Sequence, residues 1–412
     1  MNAPRRIFLG AFGQPGHAFP MLALGAALAR RGHVVTYETW AHWRDDVEAA
    51  GMRFVAAPEY PVFPTPDQPL EPYEIVHRAA AETREQIQAA RAEVVVHDIL
   101  TLAPALAGEL EGVAVATLIP HLYPVTGPGH PPYAIGARLP RTRMGRELWH
   151  RLNARMEGGL RLGRDQLNAT RGRLGLPAQT RLHGGLSQQL CLVGTFPQLE
   201  YPRAWPAHTH VVGPLFWEPP SAAVNPPPGD GPLVLVAPST AQDPRQRMLQ
   251  AALTGLRGLS VPRGAGAGPP SAAVRVVAAT NRRPLDRPVP DSPHTRLVNW
   301  LSYTQTMPAA DLVVCHAGHG TLVRALACGT PVLAVPHLGD MGENAARLDW
   351  SGAGLRLPWR LLSPRTLRAA VSLALDPTLG LAGRAAEFGA WARAHDGADR
   401  AAALVESLVG GG

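Results

Sequence analysis

Two stretches of this chain alternate short apolar runs with helical segments, and a proline-rich bridge separates them. The first apolar run, Ile7 to Phe12, ends at Gly13 and a Gly/Pro loop follows. Met21, Leu24, Gly25 and Leu28 then recur at i, i+3, i+4 and i+7 before Arg30-Arg31-Gly32, the pattern of a helix with a basic last turn and a glycine stop. Strands are expected at His33–Tyr37, Phe54-Val55, Val94–Asp98, Val113–Leu118 and Val211–Gly213. Helices are expected at Trp43–Ala50, Thr101–Leu110, 77–92 and 142–175. After the bridge the alternation restarts with Leu233–Ala237 and continues through Val274–Ala278, Thr295–Val298, Leu312–Cys315 and Val332–Val335 to a helical, Ala-rich end at 380–409. Strands alternating with helices imply parallel sheets, hence an α/β fold in two units.

At 412 residues the chain suits two domains rather than one. We place the first at 1–214, the linker at 215–232, the second at 233–383, and terminal helices at 384–412. With 46% hydrophobic and 17% charged residues, a disordered chain is excluded. All 39 basic residues are arginine, which rules out a Walker A lysine, a Schiff base or a Ser-Lys pair. The net charge of +7 suits an anionic substrate. The arginines are dispersed and no helix-turn-helix, zinc-finger or RNP pattern occurs, so no nucleic-acid partner is expected. Cys191, Cys315 and Cys328 are widely spaced, which argues against disulfides or a zinc site and fits a reducing cytoplasm. Arg5-Arg6 has the look of an export signal, but Gly13–His17 breaks the apolar run well short of the roughly 7–15 residues needed. No run reaches the ~18 residues of a membrane span.

The segment from Asp311 to Leu326 runs from an apolar strand through His316-Ala317-Gly318-His319-Gly320-Thr321 into a helix. Glycine lets a ligand approach the backbone, and a helix start offers unpaired N–H groups and a positive dipole end, both suited to phosphate. An ordinary βα turn has the same outline. A second segment, Pro331 to Ala345, carries Asp340, Met341, Glu343 and Asn344 after a short buried strand. Together they resemble the donor-binding signature of GT-B glycosyltransferases of the UDP-glycosyltransferase-like family, H-G-G-x-G-T-x-x-E-A-L followed by P-x-x-x-D-Q-x-x-N-A. Trp300 resembles the tryptophan that opens this signature. Gly16-His17-Ala18-Phe19-Pro20 resembles the family's G-H-x-x-P, and Asp98 sits where the family has the partner of that histidine.

The resemblance implies two Rossmann-like domains facing a cleft, with the terminal helices returning towards the first. It implies an inverting, metal-independent transfer of a hexose from a UDP- or TDP-sugar, a co-substrate, with no resident cofactor and no metal. The acceptor implied is a small lipophilic molecule such as a polyketide or phenol, and a homodimer is possible. His17 takes the role of base and Asp98 its partner. Ser239, Thr240, His316, Gly318, His319, Gly320 and Thr321 face the diphosphate. Trp300, Leu301 and Arg324 face the nucleoside, and Asp340, Met341, Glu343 and Asn344 the sugar. Other readings stay open: His17 in a plain loop, Asp98 or Asp340 as a helix cap, and Ser239-Thr240 as a capping pair. A sugar-nucleotide 2-epimerase or a silent sugar-nucleotide-binding partner protein uses the same scaffold.

The chemistry fits these residue types. An imidazole can take the proton of an attacking hydroxyl, and a carboxylate fixes its tautomer. No D-x-D pair is present to hold Mg²⁺, and Asp45-Asp46 read as solvated surface. Tyr60, Phe63, Tyr73, Tyr123 and Tyr133 lie in loops that could form an apolar acceptor pocket. Gly264–Gly268 precedes two prolines rather than a helix and reads as a plain loop. Three departures from the family stand out. Arg324 replaces the carboxylate that grips ribose, leaving Glu343 or backbone for that contact and making a thymidine nucleotide plausible. Met341 replaces an amide that binds sugar hydroxyls, which leaves deoxysugars open. Ser302 replaces a frequent proline, with less consequence expected.

Overall fold

The computed structural model describes residues 3–57, 74–239, 243–262, 271–285, 287–289 and 291–410. Thr240, Tyr60, Phe63, Tyr73 and the Gly264–Gly268 loop lie outside them. The first domain runs β1 (Arg6–Gly10), α1 (Pro15–Arg30), β2 (Val34–Thr39), α2 (Arg44–Ala49), β3 (Arg53–Ala56), α3 (Glu74–Ala90), β4 (Val94–Asp98), α4 (Leu102–Leu110), β5 (Ala114–Ile119), α5 (Arg143–Arg173), β6 (Leu190–Val193) and β7 (Thr209–Val211). Its seven strands are parallel, in the order β3-β2-β1-β4-β5-β6-β7. The strand β6 has no counterpart in the sequence reading. It is only four residues long, and a short apolar run is ambiguous until neighbours bury it.

The second domain runs β8 (Leu233–Ala237), α6 (Arg247–Gly255), a hairpin of β9 (Ser260–Pro262) and β10 (Ser271–Ala273), β11 (Arg275–Ala279), β12 (Thr295–Val298), α7 (Tyr303–Thr306), β13 (Leu312–Cys315), α8 (His319–Ala327), β14 (Val332–Ala334), α9 (Met341–Ser351), β15 (Gly354–Arg356) and α10 (Pro364–Ala374). Its six-stranded sheet is parallel in the order β12-β11-β8-β13-β14-β15. Strands β4 and β8 are buried at every residue, as expected where helices cover both faces of a parallel sheet. The helical tail divides into α11 (Leu381–Ala394) and α12 (Gly397–Gly410), and Asp396 accepts from the N–H groups of Ala398 and Asp399 at the break.

Strand order reverses once in each sheet, between β1 and β4 and between β8 and β13. Such a reversal leaves a crevice at the carboxyl ends of the two strands, where α/β sheets bind ligands. Helix α12 packs on α1 of the first domain, with Arg31 and His33 bonded to Glu406 at 2.8 and 2.7 Å. Phe196 of the first domain meets Phe388 and Trp391 edge-on at 5.1 and 5.5 Å. Arg347 of α9 is buried between Glu343 at 2.8 Å and Glu200 of the first domain at 3.1 Å.

Candidate active site between the domains

Each strand-order reversal delivers one half of the site. His17 follows β1 and Asp98 ends β4, so adjacent strands bring them together although 81 residues separate them. Pro15 and Gly16 supply the first turn of α1, where a missing N–H and a missing side chain cost nothing, and His17 projects from the same turn. His17 Nδ1 donates to Asp98 Oδ1 at 2.8 Å, which leaves Nε2 as the basic nitrogen. Asp98 is fully buried, and its Oδ2 accepts from the N–H of Leu100 and the hydroxyl of Thr101. The carboxylate thus both orders the turn before α4 and orients His17. Burial opposes the imidazolium, but Asp98, with a smaller contribution from Asp340, outweighs it and raises the His17 pKa above its ordinary value.

The second reversal places Ser239 after β8 beside His316 after β13. Gly318 is the N-cap of α8, and His319, Gly320 and Thr321 form its first turn, whose N–H groups have no partner within the helix. A Cβ at Gly318 or Gly320 would meet nothing within 4 Å, so this backbone is open to an approaching ligand. Ala317 holds a left-handed φ of +61° at a position where the family pattern has glycine. One cavity opens between the domains, bordered on one side by the residues just before His17. It is lined by Pro15 and Gly16 from the first domain, and by Ser239, His316, Gly318–Thr321, Trp300, Leu301 and Arg324 from the second.

The Glycosyltransferase family 28 C-terminal domain matches residues 283–401. O-mycaminosyltylonolide 6-deoxyallosyltransferase of Streptomyces fradiae is 30% identical over 97% of this chain and 97% of its own length. The chain belongs to the GT-B glycosyltransferases of natural-product type. The glycotransferase of kitacinnamycin superposes with a TM-score of 0.75 at 20% identity, over 99% of this chain and all of that one. The glycosyltransferase VinC, crystallised in complex with DTDP, superposes at 0.69 and 17% identity, over 99% of this chain and all of that one.

Several residues named from the sequence of this glycosyltransferase line the cavity or its border with ring atoms or N–H groups already engaged by protein partners. Both ring nitrogens of His316 are engaged, Nδ1 by the N–H of Ser239 at 3.0 Å and Nε2 by Asp243 at 3.3 Å. His316 therefore ties two loops together, and Ser239 spends its N–H on it. Asp243 also accepts from the N–H groups of Arg247 and Met248 at the start of α6. Burial alone would raise its pKa, but His316 and those N–H groups hold it low. His319 turns its ring towards the carbonyl of Gly194 across the cleft at 3.3 Å, so its backbone N–H is the group left at the turn. Burial pushes its pKa down.

Of the four residues expected at the sugar, Asp340 is half-buried and acts electrostatically on His17, His121 and His319. Its side chain caps no helix N–H but accepts from the Asn344 amide at 3.1 Å. That amide also holds the Ala317 carbonyl at 2.9 Å, so Asn344 fixes the glycine turn to Asp340. Met341 packs into the hydrophobic core, because the first turn of α9 faces inward. Glu343 is committed to Arg347, and burial raises its pKa despite that partner, so it is not placed for ribose. Tyr123 is buried against Trp205 and is no cleft aromatic, whereas Tyr133 lies over His121 with its hydroxyl 3.2 Å from Nδ1. Among the described residues, the bridge supplies cleft residues that the sequence did not single out, Phe216, Trp217 and Glu218. An aromatic pair followed by an acid inside a proline-rich bridge was the available signal.

Proposed function

We propose that this glycosyltransferase moves a hexose from a UDP- or TDP-sugar to a hydroxyl of a small lipophilic acceptor, with inversion at the anomeric carbon and without a metal. The supporting observation is a single cavity that has a carboxylate-paired imidazole beside one wall and an open helix start in the other. His17 Nε2 takes the acceptor proton as its oxygen attacks, and Asp98 stabilises the imidazolium that forms. The sugar–phosphate bond breaks as the new glycosidic bond forms, which makes the transfer a single inverting displacement. The departing diphosphate gains charge that the N–H groups of His319, Gly320 and Thr321 and the α8 dipole absorb. The DTDP bound to VinC makes TDP the first nucleotide to test. Cleft aromatics Phe19, Phe216 and Trp217 suit apolar rings.

The test is nucleoside-diphosphate release from UDP- and TDP-sugars across a panel of phenols and polyketide aglycones, with wild type and His17→Ala. Acceptor-dependent release that largely disappears in the variant is expected. Equal release from both proteins would remove the base assignment.

A further inference from the structure

The bridge lines the same cavity as Trp300 and the first turn of α8, and among the described lining residues it presents the one carboxylate, Glu218. Its Oε1 accepts from the Ser302 hydroxyl at 2.6 Å and from the Thr304 N–H at 3.2 Å. Its Oε2 lies 3.8 Å from Arg324 Nη1, beyond hydrogen-bond reach, and keeps acceptor capacity. Arg324 is occupied elsewhere: Nη1 donates to Thr304 Oγ1 at 2.8 Å, Nη2 donates to the Trp217 carbonyl at 2.9 Å, and the guanidinium lies 4.8 Å from the Phe216 ring centroid. Arg324 therefore clamps the bridge against α8 and sets the position of Glu218. Ser302, where a proline would have no hydroxyl to offer, is the other half of that clamp.

In the donor-site reading above, the base lies at Trp300 and the diphosphate at Gly318–Thr321, so the pentose between them lies along this wall. We infer that Glu218 accepts a hydrogen bond from the 3′-hydroxyl of the donor nucleotide, supplying from the bridge the carboxylate that α8 lacks at Arg324. The inference rests on that reading. Oε1 already carries two donors, so the group offers one free oxygen rather than a two-pronged grip on a 2′,3′-diol. The 3′-hydroxyl is the hydroxyl that TDP and UDP share.

Calorimetric titration of the full chain with TDP, with 2′,3′-dideoxy-TDP and with UDP reads this contact directly. Wild type is expected to bind TDP about 10-fold more tightly than the dideoxy compound, the scale of one charge-assisted hydrogen bond. In Glu218→Ala and Glu218→Leu the two nucleotides are expected to bind alike, with TDP falling to the dideoxy level. Ser302→Ala, which frees the carboxylate from one anchor without deleting it, should narrow the ratio and serves if neither Glu218 variant folds. A wild-type ratio near one, or variants that keep the wild-type ratio, would overturn the inference and leave the donor site standing. Failure of wild type to bind either TDP or UDP would instead remove the donor-site reading and the inference with it.

Discussion

His17 owes its basicity to a residue 81 positions along the chain. A base must be neutral to accept a proton, and Asp98 raises the pKa of His17 above its ordinary value. The acidic limb of the kcat profile is therefore expected above about 6.5, with turnover rising as pH increases through it. In Asp98→Asn the raising charge is gone, so kcat falls and the limb moves to lower pH. An unmoved limb would show that another group controls it. His17→Ala should cost at least ~10²-fold in kcat, a typical contribution from general base catalysis, and stopped assays of nucleotide release would read it. At this scale the sequence located His17, Gly318 and Gly320 from their own turns, and Asp98 only through the family resemblance. It did not reveal contacts between distant segments for which no motif spoke. Asp243 reaches His316 only because β8 and β13 lie side by side, and Glu218 reaches Ser302 only because the bridge folds onto α7.

Helix α9 shows how one element serves both the site and the domain interface. Asp340 at its N-terminus acts on His17, His121 and His319, while about two turns along, Arg347 reaches Glu200 of the other domain. Glu343 and Asn344 were readable from sequence as part of the motif, yet the helix turns both inward. Period alone cannot say which face of a helix meets a neighbouring domain. Arg347→Ala leaves Glu343 and Glu200 buried without their cation, a change expected to cost about 3–5 kcal/mol and to lower Tm markedly. Little change in Tm would show that the two carboxylates find solvent or protons at no cost. Helix α12 gives a second test. Arg31, with His33, holds the Glu406 carboxyl down to about 2, so its contribution to docking is present at neutral pH and is lost as pH falls from about 4.3 through 2. The Tm gap between wild type and Glu406→Gln should shrink as pH falls over that range, and a gap that stays at its neutral-pH size down to about pH 2 would contradict it.

The whole molecule places two reversals of strand order, one from each domain, on a single cleft. The alternation of apolar runs and helices made both sheets legible apart from the short strands β6 and β15, because parallel strands demand crossovers and buried strands carry continuous apolar runs. That the terminal helices return towards the first domain was implied by the family resemblance rather than by pattern, and it is α12 that packs on α1 while α11 packs on α8. Since backbone N–H groups and a helix dipole are available for the departing charge, nucleotide release is expected to be unchanged by EDTA; abolition by chelation would assign that charge to a metal. The most direct measurement is a crystal structure of the protein with TDP bound. The account predicts the pyrophosphate within hydrogen-bond distance of the N–H groups of His319, Gly320 and Thr321, with His17 Nε2 facing the same space. A pyrophosphate seated elsewhere, with the α8 turn empty, would contradict it.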